Sequence, residues 1–207
     1  MGGDEKMERA SAYLVDKLFG KQLKTKEQTE VYVYGMTLFL TTALGMLSIL
    51  ALSAVFFGIA DGVVFLLLFS CLRLYAGGYH CGTYAACFVV SNFVFVCVAL
   101  ATRAVLLLPP LAALCLDAAL FLASCAYIVK YAPVLTAEHR LSQKKIQKNH
   151  RRAALSAAVI SSTGMLCGLL FRSDAALHFC TLAAVTETSV SALMLILQFK
   201  ERRNYHA

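Results

Sequence analysis

The chain has 207 residues, 59% of them hydrophobic and 15% charged, with a formal net charge of +7 and a mean hydropathy of +0.69. That balance is too apolar for an ordinary soluble domain and predicts an all-α polytopic membrane helical bundle. The eight cysteines (Cys71, Cys81, Cys87, Cys97, Cys115, Cys125, Cys167, Cys180) stand singly along apolar runs. They show neither the paired spacing of a zinc site nor the clustered framework of a secreted disulfide scaffold, so no metal and no cofactor is expected.

The first thirty residues are polar and mixed in charge, unlike the basic-then-apolar pattern of a cleavable signal peptide. They predict a cytoplasmic N-terminal segment over 1–30, ahead of a single integral-membrane domain over 31–207. Met7, Ala10, Leu14 and Leu18 recur at helical spacing opposite Arg9, Lys17 and Lys21. This is an amphipathic helix, lying on the inner membrane surface or solvated as a leader.

A membrane-crossing helix needs about 20 mostly apolar residues. On that measure the sequence predicts about six, over Val33 to Ile59, Val63 to Gly78, Tyr84 to Ala101, Leu111 to Tyr131, Ala153 to Phe171 and Ala175 to Phe199. Turns are expected at Asp61-Gly62, Arg103 to Pro110 and Arg172-Ser173-Asp174. With both termini cytoplasmic, the N-terminal lysines, Arg73, the Arg140 to Arg152 run and Lys200, Arg202 and Arg203 all lie inside, leaving Arg103 and Arg172 outside. The positive charge is thereby explained by topology and attraction to anionic lipid. No soluble basic domain exists to carry nucleic-acid binding.

Between the second and third predicted spans, Arg73 to Cys87 reads RLYAGGYHCGTYAAC. Ionisable groups beside membrane spans are costly and mark a functional site. On a straight helix His80 and Cys87 would share a face but stand about 10 Å apart, too far to exchange a proton. Chemistry requires the segment to bend, and Gly77, Gly78 and Gly82 supply the permissive backbone. If the side chains meet, His80 accepts the thiol proton and Cys87 attacks a carbonyl. Arg73 would then favour the thiolate or bind a substrate carboxylate, and the N–H groups around Gly77 and Gly78 would form an oxyanion hole. Glu187, ahead of Asp117, is the candidate to orient the histidine. Spacing alone leaves open a second class, a small transporter or non-catalytic scaffold, in which His80 and Asp117 or Glu187 relay protons. No inverted repeat or matching pair of broken helices is apparent in the sequence.

The arrangement R-x4-G-x-H-x6-C, from Arg73 through Gly78 and His80 to Cys87, resembles the catalytic segment of the accessory gene regulator B family (AgrB), integral-membrane cysteine endopeptidases of Gram-positive bacteria. Tyr131-Ala132-Pro133 at the inner end of the fourth span, the lysine-rich stretch after it and the short polar N-terminal region extend the likeness over most of the chain. The resemblance implies a catalytic pair of His80 and Cys87, with Arg73 and Gly78 at further positions of the motif. It also implies cell-membrane localisation and a quorum-sensing role. The expected partner is an AgrD-like precursor peptide with an amphipathic leader, a central Cys or Ser and an acidic tail. The tail would be removed through an acyl-thioester on Cys87, and the precursor would close to a (thio)lactone. The chain departs from the family in that Thr136-Ala137-Glu138-His139 separates Pro133 from Lys144, Lys145 and Lys148. Those lysines are read either as substrate-binding groups or as topology determinants. Gly164 and Gly168 form a GxxxG motif that suits a homodimer or close packing inside one subunit.

Overall fold

A computed structural model describes residues 2–20, 25–76, 83–134, 143–171 and 173–205. All regular structure among them is helical: α1 (Gly2–Phe19), α2 (Lys26–Phe56), α3 (Ile59–Ala76), α4 (Tyr84–Val105), α5 (Pro110–Tyr131), α6 (Gln143–Phe171) and α7 (Asp174–Tyr205). The last six each contain a stretch long and apolar enough to cross a membrane. The chain divides into two compact units, Met1–Leu52 with His80–Phe93, and Ser53–Tyr79 with Val94–Ala207.

In the first unit α1 buries Ser11 and Val15. The buried stripe therefore runs one position round from the predicted Met7-Ala10-Leu14-Leu18 face, leaving Leu18 60% exposed. Ser11 can sit there because its hydroxyl donates to Met7 O at 2.8 Å. Thr25 opens α2, its hydroxyl accepting from Gln28 N at 3.3 Å, so the helix starts seven residues before the predicted Val33. A polar first turn does not stop a helix once a cap is in place. Farther along, Thr37, Thr41 and Thr42 return their hydroxyls to carbonyls one turn back, which satisfies them without water. Ser48 and Asn92 join α2 to α4 by a 2.8 Å hydrogen bond.

In the second unit the first turn falls at Phe57-Gly58 rather than at Asp61-Gly62. Gly58 takes φ of 114°, and buried Ser53 donates to Gly58 O at 2.5 Å while accepting from Gly62 N at 2.7 Å. One hydroxyl thus serves both sides of the turn, and Asp61 is drawn into α3. Phe65 stacks on Phe69 and packs against Phe95. Arg103 donates to Phe57 O at 2.8 Å and covers the Phe57 ring.

Helix α7 is the axis of this unit, packing on α3, α5 and α6, with 61% of its membrane-length window buried against 28% for α5 and 17% for α6. Its core cluster is Phe121, Cys180, Ala183 and Ala184. Gly164 and Gly168 of the GxxxG motif face inward. An added Cβ would stand 2.7 Å from Phe121 Cζ at Gly164 and 2.9 Å from Leu114 Cδ2 at Gly168. The motif therefore packs α6 within one subunit. Polar pairs fasten α7 to its neighbours: His178 Nε2–H donates to Asp61 at 2.8 Å, Thr181 to Asp117 at 2.8 Å, and Ser161 to Glu187 at 2.9 Å.

Candidate active site

The described segments on either side of the His80 segment are each held by identifiable contacts. Helix α3 ends at Ala76, and its last turn carries Arg73 with the guanidinium 5.5 Å from the Phe69 ring centroid. The last carbonyls of a helix lack intrahelical donors. At Ala76 that role falls to Val134, whose N–H donates to Ala76 O at 3.0 Å. Val134 follows Ala132-Pro133, the segment beyond α5, where Ala132 N caps the helix on Ile128 O. From α6, His150 Nδ1 lies 2.5 Å from Ala132 O. A carbonyl can only accept, so Nδ1 carries the proton. Arg152 lies 5.4 Å from the centroid of the Tyr75 ring. Gly77, Gly78 and His80 lie outside the described residues.

On the other side Thr83 is non-helical and caps α4. Its hydroxyl accepts from Ala86 N at 3.2 Å, and its carbonyl accepts from Cys87 N at 3.2 Å. Cys87 is half-buried in the first turn of α4. Thr83 is thus the one described residue between His80 and α4, and it is non-helical; the rest of the expected bend, through Gly82, lies outside the described residues. Lys144 is exposed in the first turn of α6, and Lys145 follows it there. This stretch, which precedes the predicted span from Ala153, is helical from Gln143. Glu187 is fully buried, with Ser161 donating to both carboxylate oxygens at 3.2 and 2.9 Å. Among the described residues no group of three or more His, Cys, Asp or Glu is arranged to hold a metal ion.

Sequence reasoning missed three features. The Thr83 cap was readable as a threonine immediately before an apolar helical run. The contacts of His150 and Arg152 carry no local signal, because their partners are 18 residues or more away in sequence. In the first unit a cavity of about 260 Å³ is lined by Glu8, Glu30, Tyr34, Thr37 and Tyr84. Tyr84 stands one helical turn before Cys87, so that cavity borders the turn carrying the thiol.

A family model described as Accessory gene regulator B (AgrB) matches residues 7–198. No curated protein and no solved structure matches the chain. The match spans every element from α1 to the apolar part of α7, including the Arg73 to Cys87 segment. The chain belongs to the accessory gene regulator B family, multi-pass membrane proteins involved in processing AgrD-type precursors.

Proposed function

We propose that the protein is a membrane-embedded cysteine endopeptidase that matures a cyclic signalling peptide, with Cys87 as nucleophile and His80 as its base. The observation that carries this reading is Thr83. A continuous helix would hold imidazole and thiol about 10 Å apart. The non-helical cap between them removes that constraint and leaves the thiol in the first turn of α4. Family membership supplies the substrate class, an AgrD-type precursor.

In this mechanism His80 takes the Cys87 proton and the sulfur attacks the carbonyl at the border between future ring and tail. Collapse of the tetrahedral intermediate breaks the peptide bond, and His80 returns the proton to the leaving amine. The tail departs and the ring segment remains as a thioester on Cys87. The precursor's own thiol or hydroxyl then attacks that thioester, giving up its proton through His80 to the returning Cys87 sulfur. The cyclic product is a thiolactone or lactone. Exchange of one thioester for another is nearly balanced, so selectivity over hydrolysis rests on position and on exclusion of water. N–H groups near Gly77 and Gly78 would receive the oxyanion, and Arg73 a substrate carboxylate. The basic residues on the first turns of α6, Lys144, Lys148, Arg151 and Arg152 among them, support a cytoplasmic opening that attracts an acidic tail.

The test is mass spectrometry of a candidate precursor co-expressed with wild-type protein, Cys87→Ala or His80→Ala. Tail loss with wild type alone, with a hydroxylamine-sensitive adduct on Cys87, is the expected result. Equal cleavage by all three correctly inserted proteins would refute it.

A further inference from the structure

We propose that Lys148, Arg151 and Arg152, on the first turns of α6, form a binding site for the phosphodiester headgroup of an anionic lipid, with the exposed apolar face of the same helix as the track for its acyl chains. Every residue of the site belongs to the second unit, and the site makes no use of the peptidase chemistry proposed above.

The spacing of the cations comes first. Residues three and four apart on a helix are surface neighbours, with Cβ atoms about 5–6 Å apart. Lys148, Arg151 and Arg152 stand at i, i+3 and i+4 and all are exposed, so their long side chains can converge on one phosphate. Arginine matches phosphate through parallel N–H bonds, and lysine adds a point charge. Arg152 is already oriented for this. Its guanidinium lies 5.4 Å from the centroid of the Tyr75 ring on α3, and a guanidinium seated on an aromatic face keeps its edge N–H groups for another partner. Helix α6 carries no Asp or Glu from Gln143 to Phe171, so the stripe has no anion of its own helix to neutralise it.

Depth is the second observation. His150 Nδ1 meets Ala132 O and Arg152 meets Tyr75, which sets this turn of α6 level with the ends of α5 and α3. Tyr75 and Tyr131 stand at those ends, and tyrosines gather at the headgroup level of a membrane. From Lys148 to Arg152 is about 6 Å of helix, close to the headgroup layer of about 5–7 Å on each side of the hydrocarbon core. Beyond it, Leu155, Val159 and Leu166 continue the same helix face and are exposed. A cationic stripe running into an apolar one repeats the order of a lipid's own parts, phosphate and then chain. That continuity selects a lipid over a free phosphate or an acidic peptide, neither of which has an apolar half to match it.

The experiment is native mass spectrometry of the full chain released from mild detergent, titrated with phosphatidylglycerol and separately with phosphatidylcholine. Wild type is expected to retain phosphatidylglycerol at concentrations where phosphatidylcholine is not retained. Each basic residue near an anionic headgroup contributes about fivefold in affinity, so Lys148→Gln combined with Arg152→Gln should weaken phosphatidylglycerol binding about thirtyfold. Tyr75→Leu, which removes the ring under Arg152, should cost a few-fold, and Tyr75→Phe nothing. Lys17→Gln combined with Lys26→Gln is the control, because it removes the same charge from exposed positions of the first unit. An equal loss in that control would reduce the effect to net charge and overturn the site, as would wild-type retention by the Lys148 and Arg152 double variant. Displacement of the lipid by equimolar inorganic phosphate or by an oligoglutamate peptide would also overturn it, giving the cations to a small anion or to an acidic peptide. Should the double variant not fold, Arg151→Gln alone, with its expected fivefold loss, decides the matter.

Discussion

Gly164→Ala puts the packing of α6 to a direct test. The added Cβ would stand 2.7 Å from Cζ and 3.2 Å from Cε2 of the Phe121 ring, and 3.7 Å from Ala183 Cβ. Phe121 of α5 is 2% exposed and packs in one core cluster with Cys180, Ala183 and Ala184 of α7, so the ring has no open side into which to swing. Overpacking of this kind costs about 1–3 kcal/mol. Alanine returns about 0.8–1 kcal/mol through its better helix propensity. The net expectation is a loss of up to about 2 kcal/mol, centred near 1, roughly a fivefold change in the folded-to-unfolded ratio. The assay is reversible denaturation in mild detergent at several protein concentrations. A packing defect within one subunit gives the same loss at every concentration. Pairing Gly164→Ala with Phe121→Leu should recover part of the loss, since the branched side chain withdraws the atoms that clash, and the double-mutant cycle should show coupling between the two sites. Gly164→Ala as stable as wild type, or a loss that grows on dilution as a dissociating dimer requires, would refute the reasoning.

Other substitutions probe the turns that set the helix ends. Gly58→Ala meets no atom within 4 Å, so its cost is the φ of 114° alone, about 1–3 kcal/mol, measurable by the same denaturation. Ser53→Ala removes the hydroxyl shared by Gly58 O and Gly62 N. With the Gly62 donor left buried, a loss of about 1–3 kcal/mol is expected, and Ser53→Thr should restore most of it. Thr83→Ala should cost about 1 kcal/mol of cap energy, while Thr83→Ser keeps it. Hydrogen exchange at Ala86 and Cys87 should accelerate in the alanine variant only.

The spans were legible because each apolar run is longer than a soluble core element requires. Their ends were less legible, for physical reasons that differ from case to case. Apolarity stops at Val33 and Ala153, but the helical ladder continues outward through polar, charged turns to Lys26, capped by Thr25, and to Gln143. Asp61-Gly62 has turn composition, yet the Ser53 hydroxyl on α2 captures Gly62 N and shifts the turn to Gly58. In α1 a serine replaces the expected alanine on the buried face, because its hydroxyl bonds back to Met7. The Arg73 to Cys87 segment was legible from residue types that an apolar chain has no packing reason to carry. The contacts at the end of α3 were not: Val134 and Arg152 reach Ala76 and Tyr75 from 58 and 77 residues away, and nothing local marks them.

The polar pairs of the second unit fix the register of its helices. In a membrane the attraction between apolar helices is close to that between helix and lipid, and an interhelical hydrogen bond contributes on average only about 0.6 kcal/mol. The bonds from Asp61 to His178, Asp117 to Thr181 and Glu187 to Ser161 therefore add little to stability one by one. Apolar side chains slide past each other with small penalties, whereas a hydroxyl or imidazole facing a carboxylate has one satisfactory register, so what these bonds provide is direction. Helix α3 is held this way at both ends, by Asp61 in its first turn and by the Tyr75–Ala76 contacts in its last. The two fastenings are 15 residues apart, about 22 Å of helix. A helix pinned at both ends cannot rotate or slip along α7. Buried polarity in this unit thus sets helix register more than it adds stability.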